Sequence, residues 1–291
     1  MKKLFIILLI IWVAGSCSSG KQRSQTEKAD RPVITVTIEP LRYFTEAIAG
    51  EAFQIVSMVP KGSSPETYDP TPQQLMDLVN SKAYFRIGHI GFEQIWMDKL
   101  ADNAPHLQFF DMSEGVDLIY ENTHHTGVEP HIWNSTTNAH IIATNILQAL
   151  CALDKEHKET FIERYDSLIQ KINDIDSLLS KKLSQPEASH SFLIYHPALS
   201  YFARDYQLQQ IPIEHEGKEP SPAQLKEVIQ QCRKNKVRVI FIQPEFDRRN
   251  AELIAAQIGA NIVEINPLSY QWEEEMLKTA DALIQHGKAN Y

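Results

Sequence analysis

Between Lys155 and Leu183 apolar side chains recur at Phe161, Tyr165, Leu168, Ile172, Ile175, Leu179 and Leu183. That spacing of threes and fours puts one stripe on one face of a long helix. At about 1.5 Å per residue the helix would reach roughly 40 Å, the size of a lobe. The segment holds no Gly/Ser-rich stretch, so a rigid strut, not a flexible hinge, is expected between the parts of the chain on either side.

Both flanks alternate short buried strands with helices. Before the strut, Val33–Ile38, Phe53–Val59, Ala83–Ile87 and Leu107–Met112 read as strands, with helices beginning near Pro40, Pro72 and Phe92. After it, strands are expected at Phe192–His196, Leu208–Ile213, Val237–Ile242 and Ile262–Ile265, and helices at 198–206, 222–235, 247–258 and 272–286. Such alternation predicts parallel sheets covered by helices. The expected fold is α/β, two βα lobes with mainly parallel four-stranded sheets and separate cores, bridged by the long rigid helix. The boundaries are 32–153, 154–185 and 186–291. Thr71-Pro72-Gln73-Gln74 and Ser221-Pro222-Ala223-Gln224 each combine a hydroxyl cap, proline at the first helical position and a glutamine partner.

The N-terminus predicts export. Lys2 and Lys3 precede an apolar run from Leu4 to Val13 and then Ala14-Gly15-Ser16-Cys17, the three regions of a secretory signal over residues 1–16. The run is too short for a permanent membrane span. A cysteine after small residues resembles a lipobox, which makes Cys17 the lipidated first residue of the mature chain and 17–31 a polar tether. Loss of residues 1–16 removes two lysines and no acid, taking the formal charge from −9 to −11. So acidic an exported protein is not expected to bind nucleic acid. Cys151 and Cys232 lie in helical stretches and are expected to be free thiols in a monomer.

Metal-capable side chains stand where open α/β sheets bind ligands, beyond the carboxyl ends of strands. Glu66 follows the second strand, His131 the fourth, His196 closes the first strand of the second half, and Asn266 directly follows Ile265. Glu245, in Gln243-Pro244-Glu245, is an alternative fourth donor. Prolines flank all five and fix the backbone there. His124-His125 could gather metal near the cleft, and His215 could assist.

Several of these segments carry motifs. They are Tyr-Asp-Pro-Thr-Pro at 68–72, Pro-His-Ile-Trp at 130–133, His-Pro-Ala at 196–198, Tyr-Phe-Ala-Arg-Asp-Tyr at 201–206, Glu-Gly-Lys-Glu-Pro-Ser at 216–221 and Asn-Pro-Leu at 266–268. In these the chain resembles the zinc- and manganese-specific solute-binding lipoproteins of bacterial ABC importers. The resemblance implies two βα lobes bridged by a long helix, one transition-metal ion between them, and delivery to a membrane permease. It also implies ligands from the four segments around Glu66, His131, His196 and Asn266. Two positions depart from the pattern, which usually has histidine at 66 and aspartate at 266. The changes offset each other in charge: two imidazoles, one carboxylate and one amide leave a divalent ion at net +1, as three imidazoles and one carboxylate do. Histidine at 196 favours zinc, with manganese as the alternative. The alternatives are manganese or iron binding on the same scaffold, a surface adhesin or metal-storage lipoprotein without transport, and an enzyme, since two histidines, one glutamate and an open position also describe hydrolytic zinc sites. The chain has no His-Glu-x-x-His motif and no nucleophile elbow, so no catalytic activity is expected.

Overall fold

The computed structural model describes residues 31–120, 127–214 and 217–287. The expected signal (1–16), the lipidation site Cys17, the tether up to residue 30, His124, His125 and His215 lie outside the described residues.

The first half contains strands β1 (Val33–Val36), β2 (Gln54–Ser57), β3 (Ala83–Arg86) and β4 (Gln108–Asp111), with helices α1 (Glu39–Ala49), α2 (Pro72–Val79) and α3 (Gly91–Asn103) between them. Helices α4 (Thr136–Leu153) and α5 (Lys158–Leu183) follow. The second half contains β5 (Ser191–Ile194), α6 (Ser200–Asp205), β6 (Gln209–Pro212), α7 (Pro222–Lys234), β7 (Val239–Ile242), α8 (Arg249–Ile258), β8 (Asn261–Glu264) and α9 (Trp272–Gln285). The strands form two four-stranded parallel sheets, ordered β2-β1-β3-β4 and β6-β5-β7-β8. Pro212 is tolerated in β6 because that strand is an edge and needs no N–H there.

The strands are shorter than the apolar runs that announced them. Ile38, Val59, Ile87, Met112, Ile213 and Ile265 are buried beyond the strand ends. Hydrophobicity therefore continues through the first residues of each loop while the ladder has stopped. Both expected capping boxes form, at Thr71 with Gln74 and at Ser221 with Gln224. They fix where the β2–α2 and β6–α7 loops end. Cys151 and Cys232 are free thiols.

Helix α5 buries Phe161, Leu168, Ile172, Ile175, Leu179 and Leu183, while Tyr165 is half-buried. Its stripe packs against α1 and α4 from one half and α9 from the other. This corrects the expectation of separate cores: one hydrophobic core runs from Ile34 through the α5 stripe to Leu283, and a smaller cluster around Leu193, Ile211 and Ile240 fills the outer face of the second sheet. The strut joins the cores because helices from both halves share its single apolar face. Truncating one of its leucines to alanine should cost about 2–5 kcal/mol.

Candidate metal centre

Glu66 lies in the loop between β2 and α2, His131 between β4 and α4, and His196 two residues past β5. These loops converge. The Nε2 atoms of His131 and His196 are 3.1 Å apart, and Glu66 Oε1 lies 3.4 Å from the first and 3.2 Å from the second. In a tetrahedron the edge is about 1.6 times the bond length, so zinc bonds of about 2.0–2.1 Å imply edges of about 3.3–3.4 Å. The triangle fits one face of such a tetrahedron.

Each histidine is backed by a carboxylate. His131 Nδ1 sits 2.5 Å from Glu129 Oε1, which also accepts the His131 backbone N–H at 2.9 Å. His196 Nδ1 sits 2.7 Å from Glu214 Oε1. An ionised carboxylate can only accept, so each Nδ1 carries the hydrogen and each Nε2 faces the cleft, as metal ligation requires. Gln243 grips the backbone of His196 on both sides, its Oε1 accepting from His196 N at 3.3 Å and its Nε2 donating to His196 O at 2.7 Å.

Sheet register explains why these side chains meet. Ile194 pairs with Pro212 on β6 and with Phe241 on β7. Carried two residues further, the same register sets His196 beside Glu214 and Gln243.

Burial alone would lower the His196 pKa, but its hydrogen bonds to Glu214 and Glu66 and their negative charge raise it to about 10. Burial would raise Glu66 and Glu129, yet His196 and His131 hold both carboxyls below their usual range. Three nitrogen and oxygen atoms this close need a proton among them, and His196 carries it. A dication can replace that proton.

The cleft cavity is about 30 Å³, room for about two small occupants. Glu66, His131, His196, Gln243, Glu245 and Phe246 line it, with Pro65, Ala198 and Leu268 as apolar wall. The Phe246 ring stacks on His196 at 5.4 Å. Asn266 does not line this cavity; its Oδ1 accepts the Leu268 backbone N–H at 3.0 Å. Of the five residues singled out in the sequence, the structure brings together Glu66, His131 and His196, places Glu245 at the cavity wall and turns Asn266 to a local turn.

Sequence reasoning missed Glu129, Glu214, Gln243 and Phe246. Glu129 had a readable signal, two residues before His131; the other three depend on strand pairing.

Comparison with known proteins gives a consistent set. Residues 34–286 match the family described as "Zinc-uptake complex component A periplasmic". The chain is 28% identical over 271 residues to the manganese ABC transporter substrate-binding lipoprotein scaA of Streptococcus gordonii, covering 88% of this chain and 86% of that protein. It is 28% identical over 278 residues to the iron ABC transporter substrate-binding lipoprotein MtsA of Streptococcus pyogenes serotype M6, covering 90% and 88%. A crystal structure of ZnuA superposes with a TM-score of 0.83 at 34% identity, covering 89% of this chain and 100% of that one.

Proposed function

The chain belongs to the periplasmic zinc-uptake component A family, and we propose that within it this protein captures zinc between Glu66, His131 and His196 and passes it to an ABC permease. The observation that carries the reading is the triangle of donor atoms 3.1, 3.2 and 3.4 Å apart. Imidazole nitrogen suits zinc, whereas sites for manganese favour carboxylate, carbonyl and water. Relatives named for manganese and iron keep those ions as the second reading on the same scaffold. Water or Glu245 supplies the fourth donor. Asn266 is the weaker choice, its oxygen being engaged by Leu268.

The residues divide the work. Glu66 brings the negative charge that a dication needs, and Glu129 and Glu214 orient the imidazoles and raise their basicity. Capture exchanges the His196 proton for the metal. The role is transport, not catalysis. Export by the N-terminal signal and a lipid anchor at Cys17 place a monomer at the membrane surface beside its permease. No helix among the described residues is long and apolar enough to cross a membrane, so attachment would fall to the lipid. Within this reading 32–153 and 186–291 act as the lobes and 154–185 as the link.

Calorimetry of zinc binding tests the assignment. The parent should bind one zinc per chain and the His131→Ala/His196→Ala double variant none. Full affinity in the double variant would put the site elsewhere, and metal-dependent hydrolase activity of the parent would favour the enzyme reading.

A further inference from the structure

Helix α3 starts without a side-chain cap at Ile90, and its first-turn acid, Glu93, is 2% exposed. The Glu93 carboxylate folds back over the turn. Its Oε1 accepts the Ile87 backbone N–H at 2.8 Å and the Thr37 hydroxyl, and its Oε2 accepts the Gly88 N–H at 2.5 Å. The Thr37 hydroxyl is itself 2.6 Å from the buried Tyr84 hydroxyl. One carboxylate thus ties the end of β1, the end of β3 and the start of α3 together.

Every one of those partners is a neutral donor, which is an expensive way to bury a carboxylate. Burial, only partly offset by the hydrogen bonds from Thr37, Ile87 and Gly88, pushes the carboxyl up to about 7. An ordinary Ser or Asp cap at position 90 would satisfy the helix start at less expense. The arrangement calls for a reason beyond helix capping.

The reason lies on the other side of the turn. A Cβ placed on Gly91 would stand 2.6 Å from the Glu66 backbone oxygen, so the Glu66 main chain rests directly on the first residue of α3. Two residues on, the Tyr68 ring packs edge-on against Phe92 at 6.2 Å. Two supports of the Glu66 loop are therefore residues 91 and 92, adjacent to Glu93. We infer that Glu93 is a positioning residue for the donor Glu66, holding the β3–α3 turn as the platform on which the Glu66 loop is set at bonding distance from the two histidines. The inference rests on the reading of Glu66 as a metal donor.

A Glu93→Gln side chain keeps the shape but offers one acceptor oxygen, so either Gly88 or Ile87 loses its partner. Zinc affinity is measured by competition with a chromogenic chelator, in the parent and in a Glu66→Ala background, beside thermal unfolding of each metal-free protein. Glu93→Gln should weaken zinc about tenfold in the parent, the range typical of groups that orient metal ligands. In the Glu66→Ala background it should change affinity less than twofold, while its effect on unfolding is the same in both. That non-additivity marks an action through Glu66 and not through general stability. Should Glu93→Gln fail to fold, Gly91→Ala displaces the same platform without touching the carboxylate, and the same pattern is expected. Unchanged affinity in the parent, or an equal loss in both backgrounds, overturns the inference. Zinc binding by Glu66→Ala equal to that of the parent instead overturns the donor reading beneath it, so the two failures are distinguishable.

Discussion

His131 and His196 stand on segments that bond to one another, whereas Glu66 rides on a loop that rests on the start of α3 and borders two cavities. The histidine segments are laced together: Asn134 Nδ2 donates to Ala198 O at 2.9 Å, Ser200 Oγ to Glu129 Oε2 at 2.9 Å, and Tyr201 Oη to Glu129 O at 2.9 Å. Trp133 Nε1 donates to Pro267 O at 2.8 Å, and Trp272 Nε1 to Trp133 O at 2.7 Å. The Glu66 loop has Lys61 and Gly62 exposed. It is flanked by the 30 Å³ cleft cavity and by another of about 80 Å³ between Pro60–Ser63 and Leu268–Gln271. Side chains beside a void lack partner atoms and move at low cost. The contrast locates stiffness in the histidine frame and freedom at the carboxylate.

The contrast breaks most visibly at the histidines. His131→Ala and His196→Ala together leave one donor on the freer loop, and zinc binding should fall below calorimetric detection. Because both rings are also packed, His131 against Trp133 at 5.2 Å and His196 against Phe246, the unfolding temperature of each single variant should be followed as well. A fold that survives while binding disappears confirms that the frame carries the metal and is not held together by it.

At the loop, Glu66→Gln keeps volume and removes the negative charge. Zinc affinity should drop roughly 10- to 100-fold with little change in stability, since the side chain is partly exposed. Glu245→Gln is the control. It lines the same cavity, and in this reading its loss costs less than Glu66→Gln. The reverse order would make Glu245 the anionic donor.

Much of this was legible in the sequence, and what was not has a common cause. The β-α alternation, the α5 stripe and both capping boxes are local patterns, and local patterns survive in one dimension. Glu66, His131 and His196 could be singled out because each follows a strand and is flanked by proline. Glu214 and Gln243 could not, because their partnership with His196 exists only through the pairing of β5 with β6 and β7. The turn of Asn266 toward Leu268 could not be read for a related reason. A position next to a strand end does not say which way a side chain turns, and a short amide can satisfy a neighbouring backbone N–H instead. The union of the cores was hidden because a single stripe on α5 does not declare how many neighbours share it.

Acidity offers a finer test of the histidine frame. The His196 pKa is raised from 6.5 to about 10 in the metal-free protein. A raised folded pKa contributes stability that is fully present below the unfolded value near 6.5 and is lost as pH climbs through 10. For this group the metal-free protein should therefore lose stability between those limits. Zinc needs the neutral ring, so near pH 7.5 binding should release about one proton, and affinity should climb about tenfold per pH unit from this group. Calorimetry in buffers of different ionisation enthalpy counts that proton. Glu214→Gln removes one of the groups that hold it and should reduce the release; an unchanged count would detach Glu214 from the protonation of His196.

The smallest effect is expected at Asn266. Its side-chain oxygen accepts the Leu268 N–H at 3.0 Å, while its own backbone N–H donates to Glu275 Oε2 at 2.9 Å. The residue is therefore tied at both ends to the turn that leads into α9. Asn266→Ala frees the Leu268 N–H and should cost about 1 kcal/mol of stability, the net value of one such hydrogen bond. Zinc affinity should change less than twofold, because Pro267 O still receives Trp133 and keeps the segment against the histidine frame. Chelator competition and thermal unfolding on the same sample separate the two effects. A tenfold loss of affinity with unchanged stability would show that Asn266 leaves its turn to reach the metal. The stiff side of the comparison would then extend to a fourth segment, and water and Glu245 would lose their claim to the remaining position.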